Sequence, residues 1–372
     1  MSSTSLPPDV LGEILSRLPP KSLLRFRCVS KTWLALIGNH DFFSTNLLNH
    51  SILTTQNPTH SLPLILVKTT DKSNAVKFVF YSLSYDTLDC VSQIPMNLPL
   101  APVHFLIRPN YYLKLAASSN GLVCLYDFRT SGFYLWNPTT PNVGFKAIPP
   151  LFPPPSSVGF GFDPNSSDFK VVSVRHVVNG SGITALIAEV YSMSRGSWRP
   201  LDLRVPYGIF AHSQILALGG VFLWLAEQDG GLIISFDFTD EVFRTIPLPY
   251  SRDPLRFYHQ LMELNGYVAM AIFPLDFRNM KMCLEIWVLL EFGVKESWTR
   301  FVSIEIPMDL GRPLGFWKEG KLFMENSEGQ LVLYDPFTQT KNYLQIEGLK
   351  ESFEVVLHTQ SSVAINGGQD NL

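Results

Sequence analysis

Aromatic residues recur through most of this chain at a spacing that few folds can accommodate. Phe145, Trp198, Phe243, Trp298 and Tyr343 step by 53, 45, 55 and 45 residues. Three of them follow a glycine at nearly constant distance: Gly121 precedes Phe145 by 24, Gly220 precedes Phe243 by 23, and Gly320 precedes Tyr343 by 23. Gly266 to Trp298 spans 32, with the excess at residues 274–281, and Gly159 to Trp198 spans 39, with the excess at residues 176–184. From Leu62 onward run short segments such as LILVKTT, VKFVFYSL, FYLW, AEVYSM, LIISFDF, LEIWVLL and QLVLYD, bounded by Gly, Pro, Asn or Asp. Alternation with such punctuation reads as β-strands. About four strands in a unit of about fifty residues is the signature of a β-propeller. An earlier unit at residues 62–95 brings the count to six, and a strand at Ser352–Ile365 is placed to pair with the first blade and remove the open edge. A twin-sheet β-sandwich of similar strand content is the alternative that this spacing leaves open.

The first fifty residues follow a different period. Pro7 and Pro8 suit a helix start, where a missing N–H costs nothing, and Asp9 sits well in the positive first turn. Val10, Leu11, Ile14, Leu15 and Leu18 keep helical spacing until Pro19 and Pro20 stop the helix. A second helix is expected from about Lys21 to Val29, and Ser30 is placed to cap a third carrying Trp33, Leu36 and Ile37. Asp41 could cap a further short helix that sets Phe42, Phe43, Leu47 and Leu48 against the next domain. A module of about 40 residues needs a disulfide, a metal or a partner to be stable. Cys28 is its single cysteine and no metal-ligand cluster accompanies it, which leaves a partner. Folding back as a cap on its own domain is the other option.

Leu6-Pro7, Asp9, Glu13-Ile14-Leu15, Arg17-Leu18-Pro19, Lys21-Ser22-Leu23, Arg25, Arg27-Cys28-Val29-Ser30-Lys31 and Trp33 together resemble the F-box of plant F-box proteins. The later segments SNGLVCL, LWNPTT, GFGFDPNSSDFKVV, VYSMSRGSWR, SFDFTDEVFRTIPLP, EIWVLLEFGVKESWTR and LVLYDPFTQTKNY resemble the plant F-box-associated domain, which is kelch-related. One departure stands out. Of the kelch double glycines, only Gly219-Gly220 is in place. The resemblance implies a Skp-type adaptor as partner and, through it, the cullin and RING subunits of a ubiquitin ligase. It implies adaptor contact through Leu6, Pro7, Leu11, Ile14, Leu15, Leu18, Pro19, Leu23, Leu24, Cys28, Val29, Lys31 and Trp33. Arg17, Lys21, Arg25, Arg27 and Lys31 outnumber Asp9 and Glu13, a bias that would steer an acidic partner or simply form a solvated face.

Composition excludes several other classes. With 46% hydrophobic and 16% charged residues the chain is globular, not disordered, and 27 Phe, 13 Tyr and 7 Trp favour β structure. A formal charge of −3, with basic residues spread out, gives no nucleic-acid or membrane signature. Cys28, Cys90, Cys124 and Cys283 form no C-x-x-C pair and are expected to be reduced and mostly buried. Together with the lack of a signal segment, they predict a cytoplasmic and/or nuclear protein, in which the sequons at Asn49, Asn165 and Asn179 stay unmodified.

No catalytic constellation is legible. The eight histidines fall singly, with no ligand-spaced pair. Gly159-Phe160-Gly161-Phe162 resembles a phosphate-binding turn, but its alternation fits a blade strand better. Asn137-Pro138, Asp163-Pro164 and Asp335-Pro336 read as turn starters. Asp237 and Glu285 are the carboxylates that could face a central channel, where a glycosidase would need a pair. The recurring aromatics are expected to pack between adjacent blades, and Trp224, Trp287 and Trp317 to be core.

The expectation is therefore a mainly β chain: a six-bladed β-propeller-like domain preceded by a small all-α F-box helical domain. The F-box occupies residues 3–48, a polar linker 49–61, the propeller 62–365 and a disordered tail 366–372. The inferred role is that of a non-catalytic adaptor without cofactor or metal, holding a ligase core with one domain and a substrate protein with the other. Asp276, Phe277, Arg278 and Lys281 in one insertion are the substrate-contact candidates. A ligase-independent scaffold and a propeller enzyme with an accessory F-box are the rival readings.

Overall fold

The computed structural model describes residues 7–16, 26, 29–37, 63–74, 77–96, 113–128, 130–139, 145–152, 154–178, 184–203, 215–226, 231–249, 257–274, 283–361 and 365. From residue 64 onward the chain folds strand by strand into antiparallel sheets. Blade 1 takes β1 (Leu64–Thr70), β2 (Phe78–Ser84) and β3 (Cys90–Met96). Blade 2 takes β4 (Leu113–Ser119), β5 (Leu122–Asp127), β6 (Gly132–Trp136) and β7 (Lys146–Ile148). Blade 3 takes β8 (Ser157–Asp163), β9 (Asp168–Val178), β10 (Thr184–Ser192) and β11 (Ser197–Leu201). Blade 4 takes β12 (Ile215–Leu218), β13 (Val221–Ala226), β14 (Leu232–Asp237) and β15 (Val242–Pro247). Blade 5 takes β16 (Phe257–Leu264), β17 (Tyr267–Pro274), β18 (Cys283–Leu289) and β19 (Trp298–Glu305). Blade 6 takes β20 (Leu310–Phe316), β21 (Leu322–Asn326), β22 (Gln330–Asp335) and β23 (Thr340–Glu347).

The last strand, β24 (Glu354–His358), returns to blade 1 and pairs antiparallel with β1, with Leu64 opposite His358. Six four-stranded sheets result, each with its inner strand beside the next blade's, so β24, β4, β8, β12, β16 and β20 form a ring. The sandwich alternative is thereby removed, and the closing strand is shorter than the Ser352–Ile365 expected. Beyond it, Asn137 Nδ2 donates to Ser361 O at 3.0 Å and Ile365 is buried among the side chains of blades 2 to 4.

The missing double glycines have a local explanation. Two-residue connections join the first and second strands of blades 2, 4 and 5, and both residues of each have positive φ: Asn120-Gly121, Gly219-Gly220 and Asn265-Gly266. That backbone suits the right-handed strand twist and accepts Asn as well as Gly in its first position. Gly159 is not their counterpart. It lies inside β8, where a Cβ would come within 2.7 Å of the Phe222 ring, and a Cβ on Gly161 would come within 2.3 Å of Phe238. The Gly-Phe-Gly-Phe run is thus an inner strand whose glycines admit aromatic rings from blade 4. Gly161→Ala should cost about 3 kcal/mol, the upper range for overpacking. A denaturant titration should show that loss, and Phe238→Ala introduced alongside should relieve much of it.

The recurring aromatics divide between two jobs. Trp198 Nε1 donates to Pro149 O at 2.8 Å, and Trp298 Nε1 donates to Pro247 O at 3.0 Å, so each outer strand is tied to the exit of the preceding blade. In blade 6 that tie is ionic, Lys341 Nζ to Asp309 at 2.6 Å. Phe145 and Phe243 meet rings of their own blades, Tyr134 and Trp136 and Trp224 and Phe236, and lie against core clusters shared by blades 1 and 2 and by blades 2 to 4, while Tyr343 is half exposed. The expectation of inter-blade packing therefore holds for the tryptophans, whose indole N–H reaches a neighbour's carbonyl, and for the two phenylalanines through those shared clusters, but not for Tyr343. Trp224 is fully buried, whereas Trp287 and Trp317 are half-buried.

Cysteine burial also departs from expectation. Cys124 is buried, but Cys90 is exposed and Cys283 half-buried, and all three are free. Among the described residues no helix is long and apolar enough to cross a membrane.

Candidate functional site

The N-terminal module supplies the first candidate surface. Helix α1 (Pro8–Ser16) and helix α2 (Lys31–Ile37) are its described elements, and of the expected middle helix only Phe26 and Val29 are described. Ser30 caps α2 as expected, its Oγ accepting from Trp33 N at 3.1 Å. Leu15 is the centre of the module, 1% exposed, with Leu11, Phe26, Trp33 and Leu36 packed against it. The Phe26 and Trp33 rings meet edge to face at 5.5 Å. This small core uses one stripe of α1 and leaves the next outside. Val10, Ile14 and Val29 are 43%, 47% and 59% exposed.

Of the expected contact residues, Pro7, Ile14, Val29 and Lys31 are exposed, Leu11 and Trp33 are half-buried, and Leu15 is interior. Leu15 is thus a support for the surface, not a part of it. Leu6, Leu18, Pro19, Leu23, Leu24 and Cys28 lie outside the described residues. Val10 belongs with the exposed set. Its signal is the i, i+4 pair Val10–Ile14, a stripe adjacent to the Leu11–Leu15 pair.

In the propeller, topology sorts the connections onto two faces. Each blade is antiparallel throughout, so its first–second and third–fourth connections leave one end of the strands. The second–third connection and the exit to the next blade leave the other end. The first face carries tight turns: 120–121, 193–196, 219–220, 238–241, 265–266 and 336–339. The second carries the longer joins, including 97–112, 179–183, 202–214, 248–256 and 275–282.

Both expected insertions are second–third connections and so share the second face. The first is smaller than expected, because Val178 pairs with Thr184 and His176–Val178 belong to β9. Asp276, Phe277, Arg278 and Lys281 lie outside the described residues.

The carboxylates considered for catalysis have other work. Asp237 ends β14, where its Oδ1 accepts Thr239 N at 2.8 Å. Asn137, Asp163 and Asp335 do the same for the backbone two residues on, each at 2.9 Å. Glu285 accepts from Trp287 Nε1 at 3.1 Å.

A denser polar cluster sits where the ring closes. Glu354 accepts Leu115 N at 2.6 Å and lies 3.3 Å from Lys114 Nζ and 3.5 Å from Lys68 Nζ. Lys68 is wholly buried and also donates to Leu113 O at 2.5 Å. Burial pulls the Lys68 ammonium down to about 8, against the opposing pull of Glu354. Burial pushes Glu354 up, but Lys68, Lys114 and the Leu115 N–H outweigh it and hold the carboxyl below its ordinary range. A carboxylate so engaged is a fixed charge, not an acid–base catalyst.

Four positions along β24, His358 Nδ1 lies 3.0 Å from Ser118 Oγ, the distance of a base and nucleophile. His358 is fully buried, however, and its Nε2 has no partner among the described residues. With neither access nor an orienting carboxylate, the pair is structural. Burial lowers His358 to about 4, so the folded state binds its proton more weakly than the unfolded chain. The stability it permits is present above pH 6.5 and is lost as pH falls towards 4, by about 3 kcal/mol at most. Melting curves between pH 7 and 4.5 should show a smaller acid loss for His358→Asn than for the parent chain.

Among the described residues no group of His, Cys, Asp and Glu could hold a metal ion. Comparison with known proteins agrees with this architecture. A family model described as the F-box associated beta propeller domain matches residues 75–364, and one described as the F-box domain matches residues 3–45. The chain is 27% identical over 348 residues to the F-box/kelch-repeat protein At3g23880 of Arabidopsis thaliana, covering 90% of this chain and 88% of that one. It is 25% identical over 410 residues to the F-box protein At3g07870 of the same plant, covering 95% and 90%. It is 25% identical over 407 residues to the F-box protein CPR1, also of Arabidopsis thaliana, covering 96% and 89%.

Proposed function

The chain belongs to the F-box proteins that carry an F-box associated β-propeller domain, and from that membership we propose that it is the substrate-recognition subunit of a Skp–cullin–F-box ubiquitin ligase. One observation carries the reading. A helical module too small to stand alone builds a core around Leu15 and still displays Val10, Ile14 and Val29. Apolar side chains fixed outward by a rigid support are suited to a partner's groove, and a Skp-type adaptor is the partner that this family implies. The propeller then holds a substrate protein on the face of long connections.

No catalytic side chain is required of such a protein. Holding a substrate lysine beside a loaded enzyme lowers the barrier by proximity. The test is co-purification of the full chain with adaptor, cullin and RING subunit, followed by ubiquitination of captured proteins. Adaptor bound without cullin would favour a ligase-independent scaffold. No adaptor bound would overturn both readings.

A further inference from the structure

The exit from blade 2 to blade 3 is longer than a crossing requires and is built mostly of proline. The exit from blade 5 to blade 6 crosses in four residues, 306–309, whereas this one takes eight, 149–156. Those eight read PPLFPPPS, with five prolines and no charge. Proline fixes its own φ, and a residue before proline is steered to extended or polyproline II backbone, which here constrains Pro149, Phe152 and Pro154. Of the described prolines, Pro149, Pro150 and Pro154 are exposed and Pro155 is buried.

Phe152 stands at a bend in this segment and is 70% exposed, while Leu151 beside it is buried. Its backbone is nonetheless held. Arg175 donates through Nη1 to Phe152 O and is itself fixed by Glu189, 2.6 Å from Nη2. Trp198 Nε1 donates to Pro149 O at 2.8 Å, and Ser156 N and Oγ both donate to Val174 O, at 2.8 and 2.9 Å. A crossing made stiff by its prolines and by these three attachments has no need of an aromatic ring in solvent. As an exit between blades, the segment lies on the face of long connections.

The chemistry of the segment selects what it fits. Polyproline backbone is already ordered, so docking costs it little entropy, and it is read by grooves lined with aromatic side chains. We propose that residues 149–155 are a docking site for a protein domain with an aromatic-lined polyproline-binding groove, with Phe152 as its anchor and Pro150 and Pro154 on either side. A charged peptide is a poorer match, because the segment carries no charge and the adjacent Arg175–Glu189 pair is matched internally. The docking stands apart from the ligase reading; only the further step, that the docked protein is the substrate, rests on it.

Binding is measured with the purified full-length chain alone, which keeps its outcome separate from that of adaptor capture. The probes are a purified SH3, a purified WW and a purified EVH1 domain, each followed by NMR shifts of its groove aromatics. At least one should bind the chain through its groove. Phe152→Ser, and separately Pro150→Ala with Pro154→Ala, should weaken that binding about tenfold or more. Melting should not change, since all three side chains are exposed. Met308→Ser, at a residue also exposed and on the exit from blade 5 to blade 6, should leave the affinity as it was. Binding by none of these domains would overturn the proposal, as would binding that survives both sets of substitutions. Self-association of the chain that Phe152→Ser removes would also overturn it and assign the segment to a second copy.

Discussion

A chain ended at Ser352, without β24, is expected to lose the folded propeller outright and to be recovered as aggregate. Three costs coincide at that strand. β1 would become an open edge, with the row of backbone groups that now pairs from Leu64 to Lys68 left exposed. Blades 1, 2 and 6 would lose their shared seam, where Arg312 donates to Phe353 O at 2.8 Å and Glu354 fixes Leu115 N. Lys68, wholly buried, would keep its site and lose its carboxylate.

A milder form of the experiment separates charge from strand. Glu354→Ala keeps the backbone pairing but strands Lys68, and breaking a buried pair in this way costs about 3–5 kcal/mol. Deprotonation of Lys68 limits that cost, so the variant should recover stability as pH rises above 8. Solubility and circular dichroism report the truncation, and chemical denaturation at pH 7 and 9 reports the point variant. A soluble, cooperatively melting truncation would mean that five and three-quarter blades suffice.

The second large effect is expected at the helical module. Ile14→Asp together with Val29→Asp should abolish capture of a Skp-type adaptor while the propeller melts unchanged. Both side chains point outward, so the module's own core around Leu15 is untouched. Central apolar anchors each contribute about 2 kcal/mol or more to an interface, and two lost together exceed a thousand-fold in affinity once charge is buried in their place. Leu15→Ala is the contrasting variant. It removes the centre of a core of five side chains, a loss of about 2–5 kcal/mol that a module of this size cannot absorb. Adaptor binding should therefore fail in both, but only Leu15→Ala should add local unfolding, seen as faster exchange in α1 and α2. Retained affinity in the Asp variant would move the interface to another face.

Much of this fold was legible from local chemistry. The six-blade count followed from strands whose two-residue period and bounding turns are properties of neighbouring residues, and every blade but the first is built from consecutive strands. Ser30 as a cap and Asn137, Asp163 and Asp335 as turn starters were legible for the same reason, since each bonds a backbone group two or three residues away. The closing strand was readable because a ring must remove its edges, although its end at His358 was not.

What the sequence could not decide are the contacts between residues far apart in the chain. Lys68 and Glu354 stand 286 residues apart, and nothing local to either marks a buried pair. Gly159 and Gly161 were legible as part of a blade strand, but why that strand carries glycine appeared only when the Phe222 and Phe238 rings of the next blade were placed over them. The split between Leu15 inside and Val10, Ile14 and Val29 outside needed the third dimension for the same reason. Helical spacing identifies an apolar side, but which stripe is core is settled only when Phe26, Trp33 and Leu36 arrive to cover it. Local backbone preference and turn chemistry therefore determined the elements and their order, while burial, being a sum over non-local neighbours, was decided only by the tertiary structure.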